Sequence, residues 1–428
     1  MHGKAHSHSS MLGVSWSPAG VALAIMLTLL LLIFLILFIT LTAQPAMGQA
    51  YQVIHNFTGG ADGAYGYVGL TPDRAGNFYG TAWAGGTYGY GTVFKLNHSG
   101  SGWVLTTLYS FAGGNDGATP WGRLALAQDG TLYGTTAYGG GSCGCGTVFH
   151  LTPPPTAPRT ALTMWNETVI HRFTGSDGEM PLADLTFDPS GNIYGTTFVG
   201  GSTGNGVVYQ LTPSGGSWTE TVLYSAQNNG DGRLALGGVV IDRSGDLYSV
   251  FALGGPYGYG AVYQLSPSGS GWTERTIYGF TGGSDGAQPM GGLILDSAGN
   301  LYGETTGRGN GGGGTLFELS PAGDGWTFYM LYGLSGSYGG GPSEKPILDA
   351  AGNLYDTAYG DGAYGWGSVF KLTPSYGGWT YTALHDFTGG SDGGTPSCTP
   401  AFDAAGNLYG TTRAGGAYGY GVLFEITP

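Results

Sequence analysis

A tyrosine recurs at Tyr79, Tyr133, Tyr194, Tyr248, Tyr302, Tyr355 and Tyr409, with spacings of 54, 61, 54, 54, 53 and 54 residues. Each lies in a near copy of one short segment, written Gly299-Asn300-Leu301-Tyr302-Gly303 in the fifth unit. Seven copies at one period leave few folds open. Each unit is too small to bury its apolar face alone and must stack on its neighbours, as in a solenoid or a propeller. The single long interval contains the proline-rich stretch Pro153 to Pro158, which reads as a surface loop.

Within a unit, four strand-like runs are separated by turn residues. In the fifth they are Gly292 to Asp296 (A), Leu301 to Thr305 (B), Thr315 to Leu319 (C) and Trp326 to Tyr332 (D). The chain contains 87 glycines in 428 residues, which disfavours long helices because glycine costs about 1 kcal/mol relative to alanine in a helix interior. No every-third glycine appears, so collagen is excluded. With 13% aromatic and 9% charged residues, the composition is the reverse of a disordered chain. Short antiparallel strands and tight turns remain, four strands to a unit and seven units, which is the arithmetic of a seven-bladed β-propeller.

The ends of the repeat region favour a closed ring. It begins at Tyr51 to Phe57, which aligns with a D strand, and finishes at Leu423 to Ile426, which is a C strand. Pairing the two completes a seventh blade. An open solenoid needs no such complement and carries polar capping repeats instead. The sequence therefore predicts an all-β, seven-bladed propeller of four-stranded antiparallel blades over residues 51–428, closed by its N-terminal strand and preceded by one N-terminal hydrophobic helix.

Residues 1–50 form a separate segment whose uncharged run, 21–43, is long enough to span a bilayer. Two readings stand side by side. The small residues Ala46 to Ala50 favour a cleaved signal peptide, with Gly48 and Ala50 as the cleavage pair; the length of the run favours a retained anchor. Either way residues 51–428 are expected outside the cytoplasm: extracellular, periplasmic or at the cell surface, with the inner membrane as the site of any anchor. His2, His6 and His8 precede the run and read as a solvated tail. The formal net charge is −14, and Lys4 is the sole basic residue before position 50, so the exported part is more acidic still. That disfavours nucleic acid, whose phosphates demand basic contacts, and suits cations, neutral glycans or another surface protein.

The recurring LxxDxxGNLYGTT…GGxYGYGTVFKLTPSGxGWTxTxLYxFTGGxDG resembles the Gloeo-Verruco (GloVer) tandem repeat of choice-of-anchor bacterial exported proteins, over about residues 51–428. Its Asp-x-x-Gly-Asn-Leu-Tyr core is more distantly similar to NHL-type propeller repeats. The resemblance implies an exported bacterial protein with an anchoring signal and brings no established activity, cofactor or site residue with it.

Two sets of residues recur once per unit and could face a ligand. The first is the aspartate of the D-to-A connection: Asp62, Asp116, Asp177, Asp231, Asp285 and Asp392, with Gly339 in the sixth unit. The second is an aromatic pair in the B-to-C loop: Tyr88 and Tyr90, Tyr257 and Tyr259, Tyr364 and Trp366, Tyr418 and Tyr420. In an up-and-down blade these two connections emerge on the same face. Carboxylates beside aromatic platforms suit sugar rings or cations; the structural alternative is that the rings pack on neighbouring glycine loops. The A–B turn aspartates, Asp73, Asp188, Asp242, Asp296, Asp349 and Asp403, invite a calcium reading, but their place at every hairpin fits turn chemistry better. No cofactor is indicated.

Cys143 and Cys145 occupy the aromatic-pair positions of the second unit, and nothing nearby supplies further zinc ligands. Cys398 reads as a small core residue. His55, His171 and His385 interchange with Tyr109, Tyr224, Tyr278 and Tyr332 in strand D, a pattern of packing with a polar tip. The charged residues that break the repeat, Glu179, Glu304, Arg308, Glu344 and Lys345, are scattered across blades. The leading expectation is an exported, non-catalytic binding or surface-interaction propeller. The alternatives are a carbohydrate-active enzyme using carboxylates on the loop face or in the channel, and a purely structural envelope protein.

Overall fold

The computed structural model describes residue 26 and residues 49–427, apart from 101, 155–163, 270, 337–340 and 342–343. The hydrophobic run 21–43, with the helix expected there, and the tail histidines lie outside the described residues, Met26 excepted. No helix among the described residues is long and apolar enough to cross a membrane.

Residues Tyr51–Thr427 form one compact unit of seven antiparallel sheets. We number the blades I to VII and letter their strands A to D from the axis outward. Blade V is representative: Ile294–Leu295, Leu301–Thr305, Thr315–Ala322 and Gly325–Gly333 pair in that order. Strand A is shorter than the five residues read from sequence, because only Ile294 and Leu295 keep ladder partners, opposite Tyr302 and Leu301. Blade II carries an extra short inner strand, Ala118–Pro120. Blade VII consists of Ala401–Phe402, Leu408–Thr411, Val422–Thr427 and, as its D strand, Ala50–Asn56 from the other end of the chain. The propeller is closed by its N-terminal strand, as the offset ends imply.

The core lies between blades. Phe57, Leu70, Phe78 and Phe94 of blade I and the strand leading into it pack on Ala401, Tyr409 and Leu423 of blade VII, and all are at most 3% exposed. The other interfaces repeat this arrangement. Strand C begins with three buried residues in every blade, which is why these strands read as Val-Phe, Leu-Phe or Val-Tyr runs rather than as alternating patterns.

Two local devices set the loops. In blades I to VI strand D carries a bulge at the residue before the Tyr or His, which shifts the register by one and re-aims that polar ring toward the D–A loop. A second device is invisible in residue identity. Tyr65, Thr119, Met180, Leu234, Gln288 and Thr395, each eight positions before the place of the A–B turn aspartate, adopt φ values between 49° and 64°. Each donates its N–H to a carbonyl in the preceding B–C loop, for example Gln288 to Tyr259 at 2.9 Å and Leu234 to Asn205 at 2.9 Å. The left-handed backbone costs about 1–2 kcal/mol per residue, and these bonds offset it.

Candidate functional site

The D–A aspartates are occupied by their own loops. Asp285 Oδ2 accepts from the Thr281 N–H at 2.7 Å and from the Tyr278 hydroxyl at 3.1 Å, while Oδ1 accepts from the Thr281 hydroxyl at 2.6 Å. Asp116 accepts from Tyr109, and Asp231 from Tyr224. Where the sequence has histidine the ring nitrogen takes the place of the hydroxyl: His55 bonds Asp62 at 3.0 Å, His385 bonds Asp392 at 3.2 Å, and His171 Nε2 lies 3.3 Å from Asp177 Oδ2. The Tyr–His interchange and the loop aspartates are thus one motif. Burial holds His171 and His385 below the usual histidine range despite the neighbouring carboxylates.

The aromatic pairs divide by position. Tyr90, Tyr259, Trp366 and Tyr420 lie over Gly113, Gly282, Gly389 and Gly59, where an added Cβ would fall within 2.8 Å of the ring. Tyr88, Tyr257, Tyr364 and Tyr418 face solvent, each 61–63% exposed. In blade II the pair is replaced by a Cys143–Cys145 disulfide, and Cys398 is a buried free thiol. The A–B turn aspartates are equally engaged: Asp73 accepts from Ala75 N, Asn77 N and Asn77 Nδ2 at 2.7–2.9 Å. Among the described residues no cluster of three or more His, Cys, Asp or Glu is arranged to hold a metal ion.

Charge that breaks the repeat gathers at the axis. Counting four residues back from the turn aspartate of each blade, or from Ala127 in blade II, gives Gly69, Arg123, Asp184, Gly238, Gly292, Lys345 and Thr399. Four blades carry a small residue there, and three carry a charge. Lys345 Nζ lies 2.7 Å from Asp184 Oδ2, linking blade VI to blade III. Asp184 Oδ1 accepts the backbone N–H of Arg123, from blade II, at 2.8 Å. Burial works to raise the Asp184 carboxyl, but Lys345 and then Arg123 outweigh it and hold the group below its usual range. Burial also weakens the charge of Arg123, with Asp184 and Glu344 opposing it.

Asp184 and Lys345 line two cavities. On the loop face a space of about 90 Å³ is ringed by Tyr67, Trp121, Leu182, Leu236 and Met290. The Tyr67 and Trp121 rings are 4.2 Å apart, and Arg413 lies 5.1 Å over the Tyr67 ring. On the turn face a cavity of about 850 Å³ is lined by Arg74, Arg123, Gln128, Asp184, Lys345 and strand A of blades I and II. That volume falls in the range of small-molecule sites.

Three further acids lie close by, Glu304 and Asp356 within the wall and Glu344 in the lining of the loop-face space. Glu304 is 1% exposed and Asp356 is fully buried; both Glu304 oxygens and Asp356 Oδ2 lack a hydrogen-bonding partner. Burial and the charge of Asp356 raise Glu304 well above the usual carboxylate range, and burial does the same to Asp356. Glu344 is raised by burial and by Asp184, with Lys345 opposing. Gly291 makes room for this group, since a Cβ there would meet the Glu344 carbonyl at 2.4 Å and Glu304 Oε1 at 2.5 Å.

Three of the five charged residues that seemed scattered in sequence, Glu304, Glu344 and Lys345, are therefore neighbours. Glu179 and Arg308 stay on the loop face, with Arg308 4.4 Å over the Tyr259 ring. Sequence reasoning passed over Arg123, Asp184 and Asp356. The available signal was a charge at a repeat position where other blades carry glycine or another small residue.

Among solved structures, the chain is similar to a Thermus thermophilus protein assigned as a putative oxidoreductase (glucose dehydrogenase), at 15% identity and a TM-score of 0.42, over 72% of this chain and 96% of that one. No curated protein matches. The model of the Gloeobacter/Verrucomicrobia repeat matches residues 39–166, 158–328 and 235–428. With matches that run from residue 39 to the last residue over the whole set of blades, the chain belongs to the Gloeobacter/Verrucomicrobia repeat family.

Proposed function

We propose that this propeller is an exported binding module whose small-molecule site is the turn-face axial cavity. One observation carries the reading: side chains that break the repeat in blades II, III and VI converge on a single cavity of about 850 Å³. Structural closure alone would be served by glycine at that position, as in blades I, IV and V. Binding fits better than catalysis. The acids facing the cavity, Asp73 and Asp184, are committed to the turn and to Lys345, while Glu304 and Asp356, both raised by burial, lie in the wall and outside the cavity lining. Export is supported by the apolar run 21–43. The test is a thermal-shift screen of the purified chain against a metabolite library, followed by crystal structures with the hits. A hit seated in the turn-face cavity against Arg123 is expected; hits that all sit outside that cavity, or none at all, overturn the reading.

The exposed Tyr88, Tyr257, Tyr364 and Tyr418 favour a second, independent surface on the loop face that offers stacking platforms to glycans. A glycan array probed with the wild type and with a Tyr88→Ala, Tyr364→Ala and Tyr418→Ala triple variant checks it. Identical profiles for the two proteins sink it.

A further inference from the structure

We infer that the ligand of the turn-face cavity is a small anion bearing a carboxylate or phosphate group, with Arg123 as its principal contact and Arg74 as a second one at the mouth. The inference rests on the axial-binding reading and adds the ligand's chemistry.

Charge within the cavity is unevenly satisfied. Asp184 is spent: one oxygen takes Lys345, and the other takes the main-chain N–H of Arg123 rather than its guanidinium. The Arg123 Nε–H is buried and has no hydrogen-bonding partner, and no ion pair to that guanidinium forms among the described residues. Asp73, the other acid in the lining, accepts with both oxygens from donors of its own turn, and no ion pair joins it to the neighbouring Arg74 among the described residues. Two guanidinium groups thus share one concave space without a committed anionic partner.

A buried donor left unpaired is costly, and an anion accepting from a guanidinium fork forms a strong, oriented bond. The composition sharpens the point. Acids outnumber Lys and Arg by 27 to 13, yet three basic side chains line this one cavity. An acidic exterior repels anions in general, so a basic cavity within it is a selective arrangement rather than a byproduct of charge. The size of the cavity suits a small polar molecule and not a polymer.

Isothermal titration of the purified full chain with inorganic phosphate, succinate, glucuronate and glucose tests the inference, with the bound compound located by crystallography. Phosphate or one of the two carboxylates is expected to bind between Arg123 and Arg74, and the stronger class distinguishes a phosphoryl ligand from a carboxylate. Arg123→Ala is expected to weaken binding at least tenfold, Arg123→Lys less, and Arg74→Gln several-fold. Raising the salt concentration should weaken the wild type more than the variants. Arg74 is exposed, so its variant reports even if Arg123→Ala fails to fold. Anion affinity unchanged in both arginine variants overturns the inference. Glucose bound in the cavity while no anion binds also overturns it but leaves the axial reading standing. If none of the four compounds enters the cavity, the inference falls, and the library screen decides the axial reading.

Discussion

Glu304 shows what a single substitution does to a repeat. Five other blades have a threonine at its position, and in blades III, VI and VII it donates to a carbonyl of the next blade: Thr196 to Gly237 at 3.0 Å, Thr357 to Cys398 at 2.9 Å and Thr411 to Val68 at 3.2 Å. In blade V the latch is replaced by a carboxyl facing Asp356. As two carboxylates these side chains present only acceptors to each other; one added proton turns them into a donor and an acceptor. The sign of the pH dependence follows. Because burial raises the folded-state pKa of Glu304, the native chain holds a proton that the unfolded chain releases above its ordinary value of 4.5. Stability therefore falls as pH rises above about 4.5 and levels off once the folded-state group ionises, with a slope of up to about 1.4 kcal/mol per pH unit for one proton. Melting temperatures from pH 4 to pH 9 should decline in the wild type and decline less in Glu304→Gln, which should melt higher at pH 8. Parallel curves for the two proteins would remove Glu304 from this role.

At the scale of elements, the ring closure was the most legible feature and the backbone staples the least. A D strand at one end and a C strand at the other can be read from alignment of the units, and the Ala50–Asn56 strand does pair with Val422–Thr427. The positive-φ residues escaped notice because Tyr, Thr, Met, Leu and Gln give no turn signal; inter-blade hydrogen bonds, not local propensity, impose that conformation. The axial site was missed for a different reason. Arg123, Asp184 and Lys345 are 61 and 161 positions apart and look scattered along a chain, but residues just before the innermost strand of their blades are neighbours across the axis. The closing strand yields its own prediction. Tyr51 stacks on His385 of blade VI with ring centroids 3.7 Å apart and donates to the Asp392 carbonyl, so it ties blade VII to its neighbour. Tyr51→Ala should cost about 2–4 kcal/mol in a denaturant titration, while Tyr51→Phe, which keeps the ring and loses the hydroxyl bond, should cost about 1 kcal/mol. Equal losses in the two variants would mean that the ring contact contributes nothing.

Across the whole molecule, the Lys345–Asp184 pair is a bar over the axis, joining blades three apart in the ring. A propeller is held mainly by contacts between adjacent blades, and the seven interfaces are otherwise alike. A bond that skips two blades couples their motions, and it lies between the loop-face and turn-face cavities. The pair is partly solvated, with side-chain exposures of 24% and 14%, so its strength sits below that of a fully buried ion pair. Removing one partner still strands the other charge: Lys345→Met leaves Asp184 with one donor, and Asp184→Leu leaves Lys345 beside Arg123. Each single variant is therefore expected to lose more stability than half of what the double variant loses, with a coupling energy on the order of 1–3 kcal/mol in a double-mutant cycle. The same cycle run at pH 3 should show a smaller coupling, because the Asp184 carboxyl, held low by Lys345, begins to take up its proton as pH falls. Additive losses at pH 7 would mean that the two side chains touch without holding the ring, and the bar would then serve only to shape the cavity for its ligand.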